Sequence, residues 1–417
     1  MAEFFLELFS EEIPPNLQKN ARVFFLENFQ KLFEEKNLKF KKSTTYSTPN
    51  RLIVLFEGLD KEIKEKSEEI RGPNINAPEK ALEGFLRSNK ITENEIYKKK
   101  IEKGEFYFFN KPEKIIKTID LLEKNVPSIL DKIPWKKSMK WGDFDMEWGR
   151  PLKSILCVFD NKTLPFKFYH LVSSNSTFLD KEFEERKGVF KNFKSYQSYF
   201  KKIDIIIDQN YRKKLIENTL HKISKRKNLK LDINPKLLNE VVDLVEQPNI
   251  LSCKFDQKFL EIPKEILIIT MQHHQKYFHT FDKKENITNE FFVVANSKDI
   301  KGFIKLGNER VVDARLNDAR FFWEKNKSQN LIKQISKLKS INYFEGLGSY
   351  FDKVQRMRKL GAMISDEMLI SKDKVELLTS ICKIDLISDI VNEFPELQGI
   401  MGGYFASSQG FDKDISL

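Results

Sequence analysis

Cysteine and histidine are scarce in this chain of 417 residues. The three cysteines, Cys157, Cys253 and Cys382, lie far apart, so none of them has the CxxC spacing of a zinc site. A small disulfide-stabilised fold is excluded too, and we interpret all three as reduced, buried thiols. All five histidines precede residue 280. The sequence therefore predicts no metal site.

Long apolar runs and phosphate-binding glycine motifs are also lacking. No segment approaches the roughly 20 apolar residues that span a bilayer. The first residues, MAEFFLELFSEEIPPN, are acidic where a secretory signal would be positively charged. We therefore expect a cytoplasmic protein without membrane contact. Neither a GxxxxGK[ST] loop nor another nucleotide-binding pattern occurs, so no catalytic residue and no cofactor are expected in this chain.

Positive charge is in excess. The chain has 72 Lys and Arg against 61 Asp and Glu, a formal charge of +11. A polyanionic partner would explain this excess, because lysine and arginine release counterions from phosphates. Lysine, asparagine, isoleucine and phenylalanine are all abundant, however, and a biased base composition of the genome would explain it equally well. Both interpretations stay open at this point.

The hydrophobic pattern predicts an α+β fold of two or three domains. A β-α-β-β opening is indicated by apolar residues at helical spacing after Pro14 and Pro15, with strands on either side. Residues 71–78 are expected to be a connection between two subdomains, and 113–132 a helix. A hairpin is predicted over IYKKKIEKGEFYFFN, with its turn at Lys103-Gly104, and another where the polar DKKEN separates KYFHTF from ITNEFFVVANS. Hairpin signals end near residue 298, after which the spacing is helical. We therefore predict a mixed α/β region over 1–298 and a mainly helical domain over 299–417.

Two groups of cations are candidates for binding a partner. Lys140, Arg150 and Lys153 alternate with tryptophans in SMKWGD and GRPLKS, a combination that can bind phosphates and stack on bases, although tryptophans are more often packed in a core. The other group lies on the helix predicted from about 307 to 325, and its members are the arginines Arg310, Arg315 and Arg320.

The helical projection divides this second group. Arg310 and Arg320 fall on a polar stripe, whereas Arg315 falls with Asp318 inside an apolar arc. The apolar residues of this arc are Val311, Leu316, Ala319, Phe322 and Trp323. Because an unpaired buried charge costs several kcal/mol in order of magnitude, we expect Arg315 and Asp318 to form a buried pair. The alternative is that the arginines contact RNA phosphates or a protein partner.

Two acidic residues stand out in the last predicted helix, KVELLTSICKIDLISDIVNEF. Asp385 and Asp389 are expected one turn apart, where two carboxylates repel and need a cation or hydrogen-bond donors. Adjacent His273 and His274 cannot form the HxxxH pair of zinc hydrolases, and we expect them on the surface at a helix end.

Eight segments, in the same order along the chain, resemble the beta subunit of bacterial two-subunit glycyl-tRNA synthetase. The resemblance extends over essentially the whole chain and thins between 160 and 235. The segments are LELFSEEIPP, STPNRLIVLFEG, IPWKKSMKWGD with GRPLKSIL, LVEQPNIL, FLEIPKEILIITMQHHQKYF, GNERVVDARLNDARFFWEKN, FEGLGSYFDKVQRM and CKIDLISDIVNEFPELQGIMGGYFA. At position 403 this chain has glycine, where the family usually has a larger residue.

The resemblance implies a non-catalytic, tRNA-handling subunit that works with an alpha subunit in an alpha2beta2 glycine-tRNA ligase. ATP and Mg²⁺ are then expected in the alpha subunit, and tRNA(Gly) is the expected RNA partner. The family's beta subunit is longer, which implies a chain truncated at its carboxy terminus. The resemblance further implies that 299–417 is HD-like, with Lys383, Ile384 and Asp385 where a metal-binding His-Asp pair would stand. A structural scaffold for the alpha dimer and an HD-type phosphohydrolase are the alternatives.

Overall fold

A computed structural model describes residues 1–65, 67–179 and 186–416. The fold is mixed α/β, as predicted, and contains several small sheets. Two compact units make up the chain, Met1–Gln209 and Asn210–Leu417. Within the described ranges, none of the helices combines the length and the apolar character needed to cross a bilayer.

The first unit is built on a five-stranded antiparallel sheet with strand order β10-β9-β1-β3-β2. The elements of this unit are β1 (Ala2–Ser10), α1 (Pro15–Glu35), β2 (Lys42–Thr48), β3 (Arg51–Leu59), β4 (Glu62–Glu65), β5 (Glu68–Asn74), α2 (Glu79–Asn89), β6 (Ile96–Ile101), β7 (Gly104–Lys111), β8 (Lys114–Lys117), α3 (Thr118–Asp131), β9 (Leu152–Phe159), β10 (Lys162–Thr163), β11 (Lys167–Phe168), β12 (Leu171–Val172), β13 (Ser176–Phe178), β14 (Lys187–Val189), α4 (Phe193–Lys202) and α5, which begins at Gln209 and runs to Arg226 in the second unit.

Strand β1 is buried on both of its faces because helices pack on both sides of the sheet. Phe4, on one face, belongs to the same core as Phe29 and Phe33 of α1. Phe5, on the other face, packs against Phe193 and Tyr196 of α4. The helical spacing that predicted α1 is confirmed, since its buried residues include Leu17, Ala21, Phe25, Phe29, Leu32 and Phe33.

A second sheet of the first unit has the order β5-β7-β6. The predicted hairpin between β6 and β7 is confirmed, with Glu102 and Lys103 in the turn. The predicted connection over 71–78 is only partly correct, because β5 continues to Asn74 through pairing with β7. The helix predicted over 113–132 begins later, at Thr118, since 114–117 pair with β4 as strand β8.

The second unit combines a three-stranded sheet, β15-β17-β16, with the helices that follow it. Its elements after α5 are α6 (Pro235–Leu244), β15 (Asn249–Lys254), α7 (Lys264–Ile269), β16 (Phe278–Phe281), β17 (Ile287–Ala295), α8 (Phe303–Ser328), β18 (Asn342–Phe344), β19 (Gly348–Ser349), α9 (Tyr350–Met368), α10 (Lys372–Ile381), α11 (Asp389–Glu393), α12 (Ile400–Ser408) and α13 (Lys413–Ser416). Short 3-10 turns lie at Gln257–Glu261, Leu331–Ser340, Ile384–Ile387 and Pro395–Leu397, and a π turn at Thr270–His274.

The predicted change from hairpins to helices occurs near residue 298, but the division between the compact units lies elsewhere, at Gln209. One hydrophobic core contains Phe291 and Val293 of β17 together with Val312 and Leu316 of α8. A chain that shares one core on both sides of residue 298 has no domain boundary there. The change to helical spacing near residue 298 therefore marks the end of the last strand of this sheet, and not the boundary of a domain.

Candidate RNA-contact sites

Three strand ends of the first unit enclose a polar cleft of about 400 Å³. Strand β1 ends there, and β3 and β9 begin there, because these strands are antiparallel neighbours. Three of the segments that carry the resemblance, around SEEIPP, TPNR and GRPLKS, meet at this place. The residues that line the cleft are Phe9, Ser10, Glu11, Glu12, Asn50, Arg150 and Lys153.

Two of the predicted cations, Arg150 and Lys153, are therefore brought together. Lys153 Nζ lies 2.6 Å from Glu11 Oε1, so its charge is already partly compensated. Arg150 is half-buried and donates from Nη1 to the carbonyl oxygen of Gly149 at 2.8 Å, which leaves its other donors for a ligand. The cleft thus offers both hydrogen-bond donors and carboxylate acceptors.

Asn50 lines the cleft and carries an unsatisfied acceptor beneath its surface. Its side chain is buried, and Nδ2 donates to the carbonyl oxygen of Ser10 at 3.0 Å. Its Oδ1 is buried without a hydrogen-bond partner among the described residues. A buried acceptor left unpaired costs about 1–3 kcal/mol, and this oxygen is closed off from solvent and so from a ligand in the cleft. Glu11 and Asn50 were not predicted from the sequence, although both lie next to segments that carry the resemblance.

Lys140 lies outside this cleft, on the loop before β9. Its side chain is exposed and forms no ion pair with any described residue. Nearby, the exposed ring of Phe144 stacks on His170, with ring centres 3.6 Å apart and planes 8° from parallel. This loop therefore presents a lysine and an aromatic surface to solvent.

The two tryptophans of these motifs differ in exposure. Trp148 is buried and packs edge-on against Trp135, with ring centres 5.1 Å apart, so it is part of the core and cannot stack on a base. Gly149 is needed beside it, because a Cβ there would lie 2.7 Å from the Trp135 ring. Trp141 is half-buried against the same core. The core-packing interpretation is therefore confirmed for Trp148.

The arginines of α8 occupy different environments. Arg310 and Arg315 are exposed and have no ion-pair partner in the part of the chain that the structure describes. Arg320 is different, since its Nε lies 2.7 Å from Glu324 and its Nη2 3.6 Å from Glu261. These carboxylates raise the pKa of Arg320, with the Glu324 hydrogen bond as the main cause. Arg310 and Arg315 are thus the two arginines of α8 that have no ion pair among the described residues.

The prediction of a buried pair between Arg315 and Asp318 is wrong. Both side chains are exposed, and the buried stripe of α8 is narrower than the projected arc. That stripe consists of Val312, Leu316, Ala319, Trp323 and Asn326. These positions repeat every three or four residues on one side of the helix, and Val311, assigned to the arc from sequence, is 44% exposed.

Asp385 and Asp389 do not lie on one continuous helix, which corrects a second prediction. Helix α10 ends at Ile381, a 3-10 turn contains Asp385, and Ser388 caps a separate helix at Asp389. The neutralising partners that were expected do occur for Asp389, whose Oδ2 lies 3.0 Å from Lys325 Nζ.

Buried Asp385 has a structural role instead. Its Oδ2 accepts the backbone N–H of Gly399 at 2.5 Å, at the start of α12. Burial raises the pKa of this carboxyl, and the backbone hydrogen bonds oppose the shift. A carboxylate at a helix N-terminus satisfies backbone donors and interacts favourably with the helix dipole.

The histidines near residue 275 also fall into two classes. His273 and His274 are exposed, as expected, and His273 Nδ1 lies 3.1 Å from Glu396 Oε1. His279 is buried, and its Nδ1 lies 3.0 Å from Gln272 Nε2. Burial lowers the pKa of His279 to about 4, so its imidazole is neutral at pH 7. Across the described residues, no group of three or more His, Cys, Asp and Glu side chains is arranged to hold a metal ion.

The sequence comparisons agree with the family resemblance of the eight segments. The family profile for the glycyl-tRNA synthetase beta subunit matches residues 4–417. Glycine-tRNA ligase beta subunits from Rickettsia felis and Rickettsia akari are each 36% identical to this chain, over 421 and 417 residues. Both alignments include all of this chain but 62% of the relative, so the chain spans less than two thirds of the length of these proteins. The chain belongs to the glycyl-tRNA synthetase beta subunit family.

Proposed function

We propose that this chain is a tRNA-handling, non-catalytic part of glycine-tRNA ligase, which attaches glycine to tRNA(Gly) together with an alpha subunit in an alpha2beta2 assembly in the cytoplasm. The family match over residues 4–417 is the observation that carries the proposal. On this proposal ATP and Mg²⁺ bind to the alpha subunit, and this chain binds neither. The six candidate cations Lys140, Arg150, Lys153, Arg310, Arg315 and Arg320 remain candidates for contact with tRNA or alpha.

The cleft at the strand ends supports an RNA contact by Arg150 in particular. A nucleotide bound in the cleft would bring a phosphate to the guanidinium. Lys153 would contribute less to phosphate binding, because its charge is already paired with the Glu11 carboxylate. Arg150→Ala should therefore weaken tRNA binding more than Lys153→Ala does.

The test of the proposed role has two arms. The purified chain alone should give no glycine-dependent exchange between ATP and pyrophosphate, and the chain mixed with alpha subunit should charge tRNA(Gly). A salt titration of tRNA binding supplies the second arm, since each lost phosphate contact lowers the salt slope by about 0.9. Arg150→Ala should lower the slope, and Lys31→Ala, on the exposed side of α1, should leave it unchanged. Exchange activity without alpha would refute the non-catalytic role, and alpha binding without tRNA binding would favour the scaffold alternative.

We also propose that the helical region from α8 onward is HD-like and lacks the metal-dependent chemistry of active HD proteins. Support comes from Lys383 and Ile384 preceding Asp385 in place of a His-Asp pair, and from the use of the Asp385 carboxylate to cap α12. Metal analysis of the purified chain, together with a phosphohydrolase assay in Mn²⁺, tests this proposal. Stoichiometric metal with hydrolysis of a nucleotide would refute it.

A further inference from the structure

The two faces of the β5-β7-β6 sheet differ in character. Pairing places Phe108 of β7 opposite both Arg71 of β5 and Tyr97 of β6, and places Phe106 opposite Lys99. Residues directly opposite each other in antiparallel strands project from the same side of a sheet. These five side chains therefore share one face, which we call the aromatic face.

The other face of the sheet is backed by a helix. Helix α2 packs there, and a Cβ at Gly72 would lie 2.9 Å from the Phe85 ring. Ile70, Phe109 and Ile96 pair across the three strands on this side. The backing helix holds the strands in place, so the aromatic face is part of a supported sheet rather than of an isolated hairpin.

Cations lie over the phenylalanine rings of the aromatic face. The Arg71 guanidinium carbon is 4.6 Å from the Phe106 ring centre, and Lys99 Nζ is 5.3 Å from that of Phe108. The Tyr97 ring stacks on Phe108, with centres 6.2 Å apart and planes at 27°. The Arg71 side chain is exposed and Tyr97 is 36% exposed. The outer sides of a guanidinium and of a phenol ring therefore point to solvent.

Glu69 holds two of these groups in position. Both of its carboxylate oxygens accept from Lys99 Nζ, at 2.7 and 2.8 Å, and the Tyr97 hydroxyl donates to Oε1. The Tyr97 hydroxyl also lies 3.0 Å from Asn110 Oδ1. A ring fixed at its hydroxyl end loses less conformational entropy when a flat ligand stacks on it.

We infer that the aromatic face binds unpaired nucleotides of tRNA, an inference that rests on the proposed tRNA-handling role. Unpaired bases stack on aromatic rings and on arginine planes, and RNA-binding sheets present aromatics at alternate positions of a central strand with another on its neighbour. Phe106, Phe108 and Tyr97 have this arrangement. Phe108 is 6% exposed, beneath Tyr97 and Lys99, so Tyr97 and Arg71 offer the surfaces on which a base can stack.

Binding of a 12-nucleotide oligouridylate and of a tRNA(Gly) transcript tests the inference. Tyr97→Ala and Arg71→Ala should each weaken oligouridylate binding roughly tenfold, because one base-stacking contact is lost. Tyr97→Phe keeps the ring and should bind within about twofold of the unchanged chain. Lys98→Ala is the matched control, because Lys98 lies on the opposite face of the sheet, beside Tyr107. This substitution removes a charge and leaves every side chain of the aromatic face in place. A duplex RNA of the same length should bind the unchanged chain and the Tyr97→Ala variant equally.

The outcomes separate this inference from the proposed function. If tRNA and oligouridylate bind, and the Tyr97 and Arg71 variants bind as the unchanged chain does, the aromatic face is refuted while tRNA handling stands. Equal weakening by Lys98→Ala would also overturn it, because charge alone would then account for the effect. If the unchanged chain binds no tRNA, with or without alpha subunit, the proposed function itself fails. Urea unfolding of each variant, followed by circular dichroism, identifies any loss of binding that comes from loss of fold.

Discussion

The ion pair between Glu7 and Arg51 is buried in the first unit, and its removal should be costly. Both side chains are at most 1% exposed, and Arg51 Nη1 lies 2.5 Å from Glu7 Oε1. The Tyr196 hydroxyl donates to the same carboxylate oxygen at 3.1 Å. Arg51 Nη2 also donates to the Phe178 carbonyl at 2.8 Å. The pair therefore joins β1, β3 and α4 in one hydrogen-bond network.

Arg51→Met removes the cation and leaves the carboxylate buried. Such a change costs about 3–5 kcal/mol, because the remaining charge keeps its desolvation penalty and loses its partner. The Arg51 guanidinium also lies 4.3 Å from the Phe200 ring centre, a contact that methionine would partly replace. The double variant Glu7→Leu, Arg51→Met has no buried charge, and its loss should stay below about 2 kcal/mol.

Urea unfolding followed by tryptophan fluorescence measures this difference. Three of the four tryptophans, Trp135, Trp141 and Trp148, lie in the first unit, and a Trp323→Phe background removes the fourth. With a urea slope of roughly 2–3 kcal/mol/M, a loss of about 4 kcal/mol lowers the midpoint by roughly 1.5 M. The buried-charge reasoning is refuted if Arg51→Met costs less than about 1 kcal/mol, or if the double variant is less stable than the single one.

Three further predictions concern the second unit. Burial holds the pKa of His279 at about 4, below its usual value near 6.5. As the pH falls, the unfolded chain therefore binds the proton before the folded chain does. The free energy of unfolding should keep its full value above pH 6.5 and fall by about 3 kcal/mol by pH 4. Thermal melts between pH 7 and pH 4 should show this fall, a His279→Gln variant should lose it, and exposed His273→Gln should keep it. Asn326→Ala removes both hydrogen bonds that the side-chain amide makes from α8 to α11, and it should lower the free energy of unfolding in urea by about 2–3 kcal/mol. Lys325→Ala removes a partly exposed ion pair and should lower it by less than about 1 kcal/mol. Equal losses for the two variants would contradict this prediction. Arg315→Ala should change stability by less than about 0.5 kcal/mol, and a lower salt slope of tRNA binding would identify it as a phosphate contact.

The spacing of apolar residues correctly predicted helices and hairpins that pack against a core. Helix α1 presents Phe25 and Phe29 to one core, so its spacing is regular, and Pro14 and Pro15 mark where it begins. The hairpin between β16 and β17 was predicted equally well, because the polar DKKEN separates two apolar runs. In such segments the apolar residues recur with the period of the helix or strand, because the same face packs against the core along the whole segment.

Pairing between distant strands was not predictable from local pattern. Residues 114–117 pair with β4, about 50 residues earlier, and this partner turns the start of a predicted helix into a strand. The same limit applies to the cleft, where Asn50 and Arg150 meet only because β3 and β9 are both neighbours of β1. The sequence indicated which motifs carry charge, whereas the sheet order decides which of them meet.

The phase of α8 explains why the arginine prediction failed. A helical projection gives relative angles, but the direction of the core has to be inferred from the apolar residues, and the predicted arc included Val311 and Phe322 beside Trp323. In the structure Val311 is 44% exposed, so the buried stripe is narrower than the predicted arc and Arg315 lies on the solvent side. An exposed arginine without an ion pair costs little to keep and contributes little to stability. Arg315 is therefore not held in a buried pair that folding would need, and contact with an RNA phosphate or with a partner protein becomes the hypothesis to test at this position.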